Sequence, residues 1–385
     1  MESRSFDVEV ILFICDSIYN WGVFLLSDNQ KAAYADHIKA AVQGLKPIGS
    51  YASDFVAECQ ADRARISTGI HGFDVALNGG LANELYIMGA ETSTGKSAFL
   101  MSIAQHIAES GINVLYFALE MGKSEFVARG ISSISFERHL ADPACRTVKA
   151  ADVLYWDYDR TLHDFVRVPY SLYCDYAAEY FQRYGEHLYI LEAGLNGYTV
   201  RDIANTAAIF QRETKKTVCV FIDYLQLIKA DPDDRSQSDR KTKTDVCVTT
   251  LKALASQVGM PVFTISSVGR TSYNGKIGLA SMKESGDTEY TGGVMLGWNW
   301  TGVTDTDKDE DREAEKKACR DRGYRRMSLE VLKYRNSERD NSINLIYYPA
   351  YSYFAGPDEN GFMPISEDET PFGDNNRSKK RIVEG

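Results

Sequence analysis

The stretch Leu85-Tyr86-Ile87-Met88-Gly89-Ala90-Glu91-Thr92-Ser93-Thr94-Gly95-Lys96-Ser97 decides the fold. Its apolar start predicts a strand. The Gly/Ser/Thr turn that follows opens a segment, Lys96 to Ala108, in which Phe99, Leu100, Ile103, Ala104 and Ile107 share one helical face. Strand, loop and helix in that order are the setting of a phosphate-binding loop, the Walker A pattern. Successive backbone N–H groups of Ala90, Glu91, Thr92, Ser93, Thr94 and Gly95, with the helix N-terminus, are expected to cradle a nucleotide's β-phosphate. Lys96 adds a cation near the β- and γ-phosphates, and the Ser97 hydroxyl is the expected ligand of Mg2+. Gly95 lets the backbone approach the phosphate without a Cβ. The first consensus position is Ala90 rather than Gly, although Gly89 precedes it.

Such a loop needs a second Mg2+ partner at the end of another apolar strand. Val218-Cys219-Val220-Phe221-Ile222-Asp223 supplies it in Asp223. A third strand, Asn113 to Ala118, leads through Leu119 to Glu120. By spacing alone Glu120 is equally a group that polarises water and an acid near the N-terminus of the next helix. Further short strands are expected at Leu188–Leu191, Val262–Ile265, Val294–Leu296, Leu329–Leu332 and Ile343–Tyr348, with helices between most of them. The alternation predicts an α/β fold with a mostly parallel central sheet. Phe136 to Tyr184 is too long for an ordinary crossover and reads as a helical insertion, about 136–186. The charge run Asp305–Arg326 reads as a solvated excursion.

Three zones follow along the chain: a leader over 1–65, an α/β domain over 66–355 and a polar tail over 356–385. The leader holds an apolar run, Val10 to Ile14, expected as a strand, and a helical pattern from Gln30 to Leu45. Val8 to Leu26 carries Glu9, Asp16 and Asn20, too polar for a membrane span, and it lacks the layout of a signal peptide. The 385 residues carry 43 Lys+Arg against 54 Asp+Glu, a net charge of −11, so any nucleic-acid contact must be local and an anionic membrane is disfavoured. Seven scattered cysteines without a CxxC pair argue against disulfides and zinc and fit a reducing cytoplasm.

Five further segments occur in a telling order: Leu119-Glu120-Met121, Ile222-Asp223-Tyr224-Leu225-Gln226-Leu227, Ile265-Ser266-Ser267-Val268-Gly269-Arg270, Lys283-Glu284-Ser285-Gly286 and Lys333-Tyr334-Arg335-Asn336. With the lead-in Thr68 to Asp74 and Leu77 to Leu81, this series resembles the RecA-like P-loop NTPase core of the DnaB-type replicative helicases, superfamily 4. It looks especially like those of plasmids and integrative mobile elements. The resemblance implies an ATP hydrolase and DNA helicase of the 5'-3' class, working as a homo-hexamer on single-stranded DNA, with a primase or loader protein as partner. It assigns Glu120 to the catalytic glutamate and Asp223 to the Walker B aspartate.

Lys333 and Arg335 by themselves read as a basic pair on one strand face; the resemblance assigns them to the neighbouring subunit's nucleotide. It also makes two basic loops DNA-binding: Asp231 to Asp245, with Arg235, Arg240, Lys241 and Lys243, and Arg270 to Gly286, with Arg270, Lys276 and Lys283. By charge alone these loops could equally be solvated surface. Ser267 stands where the family commonly has Gln, and the leader is too short for the usual N-terminal collar. Two other readings therefore stay open: a RecA/RadA-like recombination or repair ATPase without unwinding, and an ATP-binding loader or regulatory subunit.

Overall fold

The computed structural model describes residues 65–356 apart from 156, 160–163, 195–196, 233–239, 269–275, 283–292, 302–313, 315–316, 319–320 and 335–341, together with 39, 42–53 and 55–56. The expected strand Val10 to Ile14 and the tail beyond 356 lie outside these residues, as does most of the expected helix Gln30 to Leu45. The chain divides into two units, Met1–Arg63 and Ala64–Gly385. In the first, a short 3-10 turn, Ile48–Tyr51, ends on Tyr51, whose ring centroid lies 6.2 Å from that of Phe55.

The second unit is built on a nine-stranded sheet, with a separate hairpin of β3 (Asp157–Asp159) and β4 (Asp164–Val166). In chain order the sheet strands are β1 (Leu85–Ala90), β2 (Asn113–Ala118), β5 (Leu188–Glu192), β6 (Val218–Asp223), β7 (Val262–Ser267), β8 (Val294–Trp300), β9 (Arg325–Lys333), β10 (Ser342–Tyr348) and β11 (Tyr353–Ala355). They lie in the order β11-β10-β9-β8-β1-β7-β6-β2-β5. From β5 to β8 every pairing is parallel; β9, β10 and β11 add an antiparallel flank. All the sheet strands expected from the sequence are present, most of them longer than their apolar runs. β11 was not anticipated; it is too short to show a pattern.

Buried strands alternate their side chains between two apolar layers. Tyr86, Met88, Cys219, Phe221 and Phe263 join Phe99, Leu100, Ile103 and Ile107 of the helix Lys96–Glu109 on one face. Leu85, Ile87, Val218, Val220 and Ile222 join Ile203, Val248 and Leu251 on the other. Helices α1 (His71–Ala76), α2 (Lys96–Glu109), α3 (Lys123–Ala141), α4 (Ala150–Leu154), α5 (Cys174–Tyr184), α6 (Val200–Thr214) and α7 (Arg240–Ala253) flank the sheet. Asp74 organises the lead-in: its Oδ1 accepts from Thr68 N and Oγ1 at 2.8 and 2.6 Å, and its Oδ2 from Ser67 Oγ at 2.6 Å.

The segment expected as a helical insertion is more mixed. α3 continues to Ala141, and between it and α5 lie α4 and the β3–β4 hairpin. Val148, Val153 and Tyr173 anchor this segment against α3 and α5 in a small apolar cluster of their own. The charge run needs a correction at its end: Arg325 and Arg326 begin β9 rather than closing a solvated loop. Among the described residues no helix is long and apolar enough to cross a membrane.

Candidate nucleotide site

The phosphate loop, the end of β2 and the end of β6 converge at the C-terminal edge of the parallel strands, where open α/β sheets bind ligands. They wall a cavity of about 500 Å3. Ser93 and Gly95 both take positive φ, 62° and 92°, which turns the loop's backbone inward. Gly95 is required twice over. Its φ disfavours an L side chain, and an added Cβ would stand 2.5 Å from Cε1 of Tyr347, whose ring packs against the loop. The loop is also braced within and from outside: Thr94 Oγ1 donates to Glu91 O at 2.8 Å, and Trp298 Nε1 donates to Thr94 O at 3.1 Å.

Lys96 is buried, with Nζ 4.7 Å from the centroid of the Tyr224 ring. Asp223 is fully buried at the end of β6. Its Oδ2 accepts from Tyr116 Oη at 3.3 Å, while Oδ1 meets no hydrogen-bond partner. Burial pushes its carboxyl up to about 6; Glu120 adds to the rise, and the Ser97 hydroxyl and Lys96 oppose it. A desolvated carboxylate oxygen without a donor, beside a hydroxyl at the first turn of α2, fits a hard divalent cation. Ser97 and Asp223 would hold Mg2+, which supplies charge neutralisation for the phosphates when bound. Glu120 is exposed at the end of β2 and faces the same cavity.

Two arginines on the cavity wall escaped the sequence reading. Arg129 on α3 is held by Glu125, one turn earlier, at 2.6 Å. Arg325 donates to the carbonyl of Ser93 and lies over the rings of Trp300 and Tyr347, 5.5 and 5.8 Å from their centroids. Arg129 was visible only as the partner in an i,i+4 ion pair, and Arg325 was hidden by its charged neighbours.

The other nominated residues divide. Lys333 ends β9 opposite Met295, which is level with Ile87 near the start of β1. It thus sits about 10 Å down the sheet from Ala90, by three residues at ~3.3 Å each. Arg335, Arg235, Arg270 and Lys283 lie outside the described residues, and of Arg240 only the backbone, at the start of α7, is described. Lys241 is exposed on α7. Lys243 turns inward, donating to Gln226 O and Ile228 O at 3.1 and 2.9 Å. Lys276 pairs with Glu330 at 2.9 Å.

The chain is similar to known proteins. The replicative DNA helicase DnaB of Treponema pallidum (strain Nichols) is 28% identical over 252 residues, covering 62% of this chain and 48% of that protein. That of Pasteurella multocida is 26% identical over 237 residues, covering 60% and 45%. The chain therefore spans about half the length of these curated relatives. Among solved structures, an ATPase domain determined by itself superposes with a TM-score of 0.59 at 18% identity, covering 80% of this chain and 96% of that one. A DnaB-like replicative helicase, solved in a study of its interactions with primase, gives 0.60 at 18% identity over 90% and 74%. These likenesses identify a RecA-like ATPase fold. The model of the DnaB-like helicase C-terminal domain matches residues 65–148 and 176–356; the segment between them, 149–175, carries α4 and the hairpin. With more than half of its length matched, the chain belongs to the DnaB-like helicase C-terminal domain family.

Proposed function

We propose that this chain is the motor of a DnaB-type helicase, binding Mg2+-ATP, hydrolysing it and using the cycle to translocate on single-stranded DNA and unwind duplex during replication in the cytoplasm. One observation carries the reading: Lys96, Ser97 and the exposed carboxylate of Glu120 line one cavity, and Asp223, buried at the end of β6 with its Oδ1 lacking a hydrogen-bond partner, lies within electrostatic reach of Lys96 and Glu120. Lys96 draws charge from the β- and γ-phosphates. Glu120 orients and polarises the attacking water. The backbone of Ala90 to Gly95 fixes the phosphates in line for displacement.

Lys333 supports an assembly in which subunits complete one another's sites, since it lies well down the sheet from its own phosphate loop. We place Lys333 and Arg335 on the nucleotide of the next subunit in a homo-hexamer, where they stabilise charge on the transferring phosphoryl group. Arg235, Arg240, Lys241, Arg270 and Lys283 are proposed to track the DNA backbone, while Lys243 and Lys276 are held by internal partners. A primase or a loader is the proposed protein partner. Strand displacement of a forked duplex by the wild type and by Glu120→Gln tests the reading. ATP-dependent displacement lost in the variant is expected. ATP turnover without displacement would favour the recombination-type ATPase, and absence of turnover the loader.

A further inference from the structure

Gln226 lies in the turn that leaves β6, three residues beyond Asp223. Its Nε2 donates to Ser266 Oγ at 3.0 Å and to Ser267 O at 3.2 Å, and its Oε1 accepts from Ser267 N at 3.1 Å. One amide thereby grips the end of β7, and Ser267 lines the nucleotide cavity. The main-chain carbonyl of the same residue accepts from Lys243 Nζ, which also donates to Ile228 O. Lys243 stands on the first turn of α7, the helix that follows the basic loop. Gln226 is thus bonded on one side to the nucleotide cavity and on the other to the proposed DNA side.

We infer that Gln226 is a positioning residue that transmits occupancy of the basic loop to Ser267 at the nucleotide cavity. The inference rests on the ATP-driven DNA motor proposed above. The register of the two strands does not need this side chain: Val220 to Ile222 already pair with Val262 to Thr264, and Thr264 Oγ1 donates to Ile222 O at 3.1 Å. The amide therefore adds a connection at the site rather than the sheet's alignment. The switch lies in Lys243. Its ammonium is satisfied by two neutral carbonyls, and a phosphate oxygen is a stronger, charge-assisted acceptor. A strand laid beside α7 competes for that ammonium. The carbonyls of Gln226 and Ile228 then lose their donor, the turn relaxes, and the grip on the Ser267 peptide shifts with it. Both states use the same groups, so the two bonding patterns form a discrete alternative rather than a gradual drift.

The test uses the full chain with Gln226→Ala and Gln226→Glu, measuring steady-state ATP turnover with and without an oligo-dT strand. For Gln226→Ala, basal kcat and KM should stay within about twofold of wild type while stimulation by the oligonucleotide falls at least about fivefold. Affinity for the oligonucleotide without nucleotide should stay within about twofold. Gln226→Glu still accepts from Ser267 N–H and from the Ser266 hydroxyl but donates nothing; it should retain part of the stimulation. It also serves as the deciding variant if Gln226→Ala does not fold: full stimulation in the Glu variant would then overturn the inference. Stimulation kept in Gln226→Ala, or a basal kcat that falls in parallel, overturns the coupling role while leaving the motor intact. A wild type that turns over ATP but does not respond to the strand overturns the DNA-motor reading and the coupling with it.

Discussion

The Tyr116 hydroxyl donates to Asp223 Oδ2 across 3.3 Å, inside a site where both groups are buried. Burial holds the Tyr116 phenol well above its usual range and lifts the Asp223 carboxyl from 3.8 to about 6. In the metal-free chain, folding therefore takes up a proton at Asp223 between these two values. The associated stability is complete below about pH 4 and is lost as pH rises through 6. Metal-free Asp223→Asn should accordingly be more stable than wild type at pH 8, by about 3 kcal/mol, and match it below pH 4. Mg2+ should raise the wild-type midpoint at pH 8 and leave the variant unmoved. Thermal scans across pH decide this; equal midpoints at pH 8 would refute a desolvated carboxylate.

Gly95→Ala collides with Tyr347 and forces an L side chain to φ 92°. Strain of about 1–3 kcal/mol at the loop translates to a loss of nucleotide affinity of roughly ten- to a hundredfold. Titration with a fluorescent nucleotide reads it. Gly95→Ala combined with Tyr347→Ala relieves the collision but not the φ, so affinity should recover only in part.

Lys96→Ala and Glu120→Gln should separate binding from chemistry. The first removes the buried cation and weakens nucleotide binding with turnover. The second leaves binding intact and lowers kcat by about 10²–10⁴. A Glu120→Gln rate within about twofold of wild type would show that another group handles the water.

Mixing experiments distinguish Arg325 from Lys333, at the two ends of β9. Arg325 touches its own subunit's Ser93, whereas Lys333 is far from it along the strand. Lys333→Ala mixed with Lys96→Ala should regain activity, because some interfaces pair an intact loop with an intact Lys333. Arg325→Ala mixed with Lys96→Ala should not, since each subunit's own site then carries a lesion. Recovery in the second mixture would place Arg325 in trans.

Lys241 and Lys243 differ by about half a helical turn and by environment. Lys241→Ala should reduce the salt slope of single-stranded DNA binding by about 0.7, the share of one phosphate contact. Lys243→Met should lower that slope by a similar share and, in addition, remove the two bonds to the turn at Gln226 and Ile228. An unchanged slope in Lys243→Met would show that this ammonium stays on its carbonyls when the strand binds.

The legible parts were those with a local cause. Strands buried on both faces announce themselves as runs such as Val218 to Ile222, and a loop that must turn at Gly95 before a helix carries its residues in sequence. Arg325 and Tyr347 were illegible for the opposite reason. Arg325 reaches the loop from 232 residues beyond Ser93, and Tyr347 from further still. Only the antiparallel flank of the sheet brings them there. The inward turn of Lys243 was equally hidden, because a lysine in a basic run looks the same whether it meets solvent or two carbonyls.

The reversal of β9 against β8 has an arithmetic side. With Lys333 on the next subunit's nucleotide as proposed, a strand that starts at its own phosphate loop and ends near the opposite edge would give each subunit one socket and one plug, facing different ways. Copies joined through such unlike faces form a row, and a row of n copies contains n − 1 filled sockets unless its ends meet. An isolated copy would have none. Turnover per subunit should then climb steeply with protein concentration, flatten once closed assemblies dominate, and drop on dilution even while every subunit stays folded.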